Sequence, residues 1–89
     1  MNIEQLREQL EHLHAELKQT DALDPQQREL LQTRANDIEQ LLKHEEIEPH
    51  HYRGLSERLN EDLAQLEASH PQITLLMRRA IDALAYLGI

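Results

Sequence analysis

The sequence predicts an all-α protein, built from antiparallel helical hairpins that form a four-helix bundle within one chain or by dimerisation. Three observations carry that expectation. Apolar residues recur every three or four positions along four separate stretches, the period of one helix face. Leucine occurs 17 times and isoleucine six, valine is absent and threonine occurs three times, whereas strands favour β-branched and aromatic residues. The breaks between stretches set proline beside good capping residues, which is how helices are punctuated.

The first stretch is the clearest. Ile3, Leu6, Leu10, Leu13 and Leu17 alternate spacings of three and four, the narrow seam of a coiled coil. Asn2 suits the N-cap, with Gln5 as its capping-box partner and Met1 stapled onto Leu6. Glu4 and Lys18 complement the helix dipole, and a helix is expected over residues 2–19. Asp24-Pro25, with Gln27 at the third position, starts a second helix over residues 25–44. Its face (Leu30/Leu31, Ala35, Ile38, Leu41/Leu42) is wide enough to touch two neighbours. The short link between the two makes them antiparallel.

Residues 45–54 lose the periodicity, and Pro49 and Gly54 mark them as the longest connection. A third helix is expected over residues 55–69, with Leu55, Leu59, Leu63 and Leu66 on one face. Ser69 stands where it can cap the fourth, over residues 71–87, with Gln72 as box partner and Pro71 in the first turn. That last helix is the most apolar: Ile73, Leu76/Met77, Ala80/Ile81, Leu84 and Leu87, broadened by Leu75 and Tyr86, with Gly88 as terminator. Residues 1–89 form a single domain, whose core is thin because so short a chain buries only about 60–65% of its unfolded surface.

The formal net charge is −8. Residues 1–48 hold 12 acids and 5 bases, and residues 49–89 hold 5 acids and 4 bases, so the N-terminal half is the acidic one. Nucleic acid is not expected as a partner, since phosphate contacts need Lys and Arg, and neither is an anionic membrane surface. Without cysteine there is no disulfide or thiolate site. The N-terminus lacks the basic and apolar regions of a signal peptide, and a cytoplasmic protein is expected.

Candidate chemistry is sparse. Of six histidines, His12 and His14 lie two apart, about 200° around a helix axis, too far to share a metal. His44 could meet His50 or His51 through the path of the chain, the one arrangement that would bind a divalent metal. Asp62 and Asp82 read as surface or ion-paired acids, and Glu4, Glu8, Glu11 and Glu16 as a solvated face. No triad, nucleophile elbow or glycine-rich phosphate loop stands in the sequence, so no catalytic residues and no cofactor are assigned. Arg78-Arg79, a basic pair in an acidic protein, is read either as a contact to acidic helices or as an exposed solubilising pair.

Two segments resemble a bacterial family of unknown function, DUF4404. They are Leu10-Glu11-His12-Leu13-His14-Ala15-Glu16-Leu17 with the Leu23-Asp24-Pro25 turn, and Leu66-Glu67-Ala68-Ser69-His70-Pro71 followed by Ala80-Ile81-Asp82-Ala83-Leu84-Ala85-Tyr86-Leu87-Gly88-Ile89. The resemblance implies a short acidic helical fold and bacterial origin, and no catalytic or binding residues. The functional expectation is therefore a helical interaction module that self-associates, preferably as a homodimer, or binds a protein partner. Its interface would be drawn from Leu6, Leu10, Leu13, Leu17, Ile73, Met77, Ile81 and Leu84. Alternatives are an acidic regulator that mimics nucleic acid at a basic protein site, and a metal-binding bundle using His44, His50 and His51.

Overall fold

The computed structural model describes residues 3–44 and 49–87. Four helices follow one another: α1 (Ile3–Gln19), α2 (Pro25–Lys43), α3 (Pro49–Leu66) and α4 (Pro71–Tyr86), with no strand among the described residues. Each helix packs on two neighbours, in the cyclic order α1, α2, α3, α4, and among the described residues the backbones of diagonal pairs stay farther apart. The result is an up-and-down bundle of 36 × 21 × 19 Å. The longest helix has 19 residues, about 28 Å at 1.5 Å per residue, so the long axis is one helix plus its turns.

Closure comes from aliphatic stripes. Leu6, Leu10, Leu13 and Leu17 of α1 are buried, and they join Leu31, Ile38 and Leu41 of α2, Leu55, Leu59 and Leu66 of α3, and Ile73, Met77 and Leu84 of α4 in one cluster. Tyr52 is the one large aromatic side chain in this core. Ala35, Ala80 and Ala83 are also buried, small residues that let neighbouring helices approach.

Local chemistry sets the ends. The Thr20 amide and hydroxyl both donate to the Glu16 carbonyl, at 3.0 and 2.6 Å, as α1 closes. Asp24 caps α2, its Oδ1 accepting from the Gln26 amide at 2.8 Å, and Arg28 ties down the turn through the Ala22 carbonyl at 2.9 Å. At the far end, Arg7 donates to the Leu42 carbonyl at 2.7 Å, satisfying one of the acceptors a helix C-terminus leaves open.

Several expectations are corrected. The connection expected over residues 45–54 is shorter, because α3 starts at Pro49; residues 45–48 lie outside the described residues. Pro49 has the fixed φ of a first helical position, and burial of Tyr52 and Leu55 outweighs the roughly 1 kcal/mol that a mid-helix glycine costs. A Cβ at Gly54 would meet only the Arg58 guanidinium, at 3.4 Å, so no close approach demands glycine there. Ser69 does not cap α4: His70 holds that position without a side-chain cap bond, and Ser69 Oγ lies 2.9 Å from His70 Nδ1. Gln27, at the third position of α2, reaches across to α3, its side-chain amide donating to the Gln65 carbonyl at 3.5 Å. Leu75 and Tyr86 point outward, 46% and 72% exposed, because each stands two residues, about 200°, from the buried stripe of Ile73, Met77 and Leu84. The roles expected of Met1, Asn2 and Gly88 fall outside the described residues.

Truncation should separate core from turn. Leu13→Ala is expected to cost about 2–5 kcal/mol, through lost burial and a residual cavity. Leu23→Ala, at a position 98% exposed, should stay within about 0.5 kcal/mol of the parent. Urea midpoints with an unchanged slope would measure both.

Candidate functional site

The α2–α3 edge differs from the other three. Along α2, Gln27, Arg34 and Asp37 recur at spacings of seven and three, so they share one helix face, and His44, the C-cap seven residues after Asp37, continues the row. Along α3, Gln65, Asp62, Arg58 and His51 meet them in antiparallel order. The edge is thus a polar ladder where the rest of the bundle is closed by leucine.

Its centre is an ion pair out of water. Arg34 is 7% exposed and Asp62 is 1% exposed. The guanidinium grips both carboxylate oxygens, Nε to Oδ2 at 2.5 Å and a terminal nitrogen to Oδ1 at 3.1 Å, the bidentate geometry that suits a planar fork. Its other terminal nitrogen donates to Asp37 Oδ2 at 2.5 Å, and the half-exposed Arg58 reaches that same oxygen at 3.4 Å. Burial alone would push the Arg34 guanidinium down. The bond to Asp62 and the charges of Asp62 and Asp37 outweigh it, and the net direction is up from the ordinary arginine value.

At the end of the ladder near the α2 C-terminus, His44, His50 and His51 come together, as the sequence allowed. His44 and His51 stack nearly parallel with ring centres 5.5 Å apart, and His50 lies 4.1 Å from His51 at a tilt of 46°. They line a cleft of about 270 Å³ with Asp37, Leu41 and Arg58. Stacked rings turn their faces, not their nitrogens, toward one another. Among the described residues no group of three or more histidine, aspartate or glutamate side chains could hold a metal ion. His51 Nδ1 is buried without a hydrogen-bond partner, as is the hydroxyl of Tyr52 one residue on. Burial raises the Tyr52 phenol above its ordinary value, and the positive charge of Arg7 draws it partly back.

The remaining candidates are dispersed. Of the expected interface residues, Leu6, Leu10, Leu13, Leu17, Ile73, Met77 and Leu84 are at most 3% exposed within the single chain, and Ile81 is half-buried. Those side chains are covered by the chain's own helices and are not a free surface in this fold. His12 and Arg79 border an exposed groove with Gln9 and Leu76. Arg78 pairs with Glu67 in its own hairpin at 2.6 Å, both groups more than half exposed, a geometry worth little in water. A shallow groove of about 480 Å³ runs beside the α1–α2 turn over Leu17, Ala22 and Leu31. Asp82 is exposed, and so are Glu4, Glu8, Glu11 and Glu16.

Sequence reasoning placed Asp62 among ion-paired or surface acids but did not find Arg34. The signal was there: position 34 belongs to the stripe of Leu31, Ile38 and Leu41, and position 62 completes Leu55, Leu59 and Leu66 at spacings of four, three and four. The hydrophobic pattern drew the stripe to Leu63 instead, which is only half-buried.

These features define a small up-and-down four-helix bundle with three apolar seams and one ion-paired seam. The chain belongs to the family described as Domain of unknown function (DUF4404), whose sequence model matches residues 6–89. No curated protein and no solved structure matches it.

Two outcomes follow from the geometry. Asp62→Ala should cost about 3–5 kcal/mol, because it strands a buried guanidinium, whereas Arg34→Met with Asp62→Leu should be neutral or stabilising; denaturant unfolding of the three chains compares them. For Tyr52, stability is fully present below the unfolded phenol value of 10.0 and falls as pH rises through the higher folded value. Tyr52→Phe should remove that part of the alkaline loss, and deleting an unpaired hydroxyl should leave stability at pH 7 unchanged or higher. A series of urea melts between neutral and strongly alkaline pH would show it.

Proposed function

We propose that this chain is a non-catalytic helical interaction module that recognises a protein partner through its outer surface, with the exposed face of α1 as the recognition element. The observation that carries this is the split of α1 into two stripes. Leu6, Leu10, Leu13 and Leu17 face inward and are covered within the chain. Glu4, Glu8 and Glu11, at spacings of four and three, form a second stripe and are exposed. An amphipathic helix whose apolar side is already used offers its polar side to others. The turn that follows adds Asp21, Asp24 and the 98% exposed Leu23, an apolar residue rimmed by acids.

Self-association through the leucine seam would require the bundle to open, so closure of that seam within one chain favours a different protein as partner. The partner's chemistry is basic, since opposite charge steers encounter and sets specificity. An acidic regulator that occupies a basic, nucleic-acid-binding site is the same reading made narrower, and it uses the same stripe. The reading places the protein in the bacterial cytoplasm, which suits an acidic, cysteine-free composition.

The test is affinity capture from a bacterial lysate with the parent chain and with Glu4→Gln/Glu8→Gln/Glu11→Gln, alongside solution mass over a hundredfold concentration range. A basic protein held by the parent at low salt, released by moderate salt and not held by the triple variant is the expected result, with the mass staying near 10.5 kDa. Identical capture by both chains, or a dimer at every concentration, would overturn the assignment.

A further inference from the structure

The four seams of the bundle are unequal in extent and in chemistry. α1 packs extensively on α2 and α4, and α3 on α4, while α2 and α3 touch least. Beside Ile38 and Leu41 of α2 and Leu55 and Leu59 of α3, which belong to the common core, α2 and α3 are joined by the polar ladder: Gln27 to Gln65, Arg34 to Asp62, Asp37 to Arg58, and the stacked rings of His44 and His51. A cleft of about 270 Å³ lies at the histidine end of this seam, where His51 Nδ1 has no partner.

Separation along this seam and separation along a leucine seam differ in their energetics. Parting α1 from α4 exposes aliphatic surface to water with nothing gained in return, at about 25 cal/mol for each Å². Parting α2 from α3 exposes less apolar surface, since these two helices touch least, and at the ladder both charged groups recover the hydration they gave up on burial, which offsets much of the lost attraction. A buried ion pair is therefore a weak lock compared with an apolar seam of the same length. We propose that the bundle opens along the α2–α3 edge, with the α1–α4 seam as the hinge and the Arg34–Asp62 pair as the latch. Opening brings Ile38 and Leu59, which are fully buried beside the ladder, into contact with solvent while the helices themselves stay intact. The inference stands on the seam geometry and is independent of whether α1 carries the partner surface.

The chain contains no cysteine, so a single introduced thiol reports opening without background. Leu59→Cys is labelled with a thiol reagent across a urea series, and its rate is compared with that expected from the same variant's own global unfolding equilibrium. Ile38→Cys serves the same purpose from the opposite helix. The expected result is labelling at zero urea about tenfold or more faster than global unfolding allows, with a shallow urea dependence, because a local opening exposes little surface. Adding Arg34→Met/Asp62→Leu should return the rate to the line set by that variant's own global unfolding. If the parent rates already lie on the global line in both thiol variants, or if replacing the ion pair leaves the excess labelling unchanged, the latch is overturned. If only one of the two thiol variants folds, that variant decides.

Discussion

Everything in this molecule depends on closing a thin core with leucine. The chain has no phenylalanine or tryptophan and buries a single large aromatic ring, Tyr52, so cohesion comes mainly from many small contacts along the full length of each helix. That requirement favours long, nearly antiparallel helices over short crossed ones. α1 illustrates it: four leucines at alternating spacings form a stripe with no lateral spread, and a stripe so narrow is covered only when two helices flank it. α2 and α4 do this.

With three seams closed by aliphatic side chains, the fourth is free to be polar. The stripes of α2 and α3 each give one core position to a charged residue, Arg34 and Asp62. The exchange is tolerable because the two neutralise each other with two hydrogen bonds and Asp37 takes a third guanidinium donor. An ion pair of this kind contributes less to stability than leucine would. It does impose register: an apolar edge can slide by a turn at modest cost, whereas a bidentate pair has one geometry. A small bundle with uniform leucine seams has several near-equivalent packings, and one buried polar contact separates them.

Much of the fold was legible in the amino-acid order. The four stripes, the Asp24 cap with Pro25 and the break at Pro71 each act within a few residues, so local periodicity and capping chemistry reveal them. The start of α3 was misread because Pro49 and Gly54 read locally as breakers, whereas Pro49 fits the first helical position and the burial of Tyr52 and Leu55 offsets the cost of Gly54. Leu75 and Tyr86 were misassigned for a related reason. Hydrophobicity marks a residue as able to be buried, and only the direction of the neighbouring helix decides whether it is. The site was less legible still: Arg34 and Asp62 are 28 positions apart, and each alone looks like an ordinary surface charge.

The sequence by itself determined the helical class, the hairpin connections, the aliphatic character of the core and the excess of acid in the N-terminal half, because these follow from composition and from interactions between near neighbours in the chain. Only the tertiary structure decided that the α1 seam closes within one chain, that the charged pair lies inside, that three histidines share one end of the bundle and that α2–α3 is the weakly packed edge. Those are properties of pairs of helices, and a pair of helices exists only once the chain has folded back on itself.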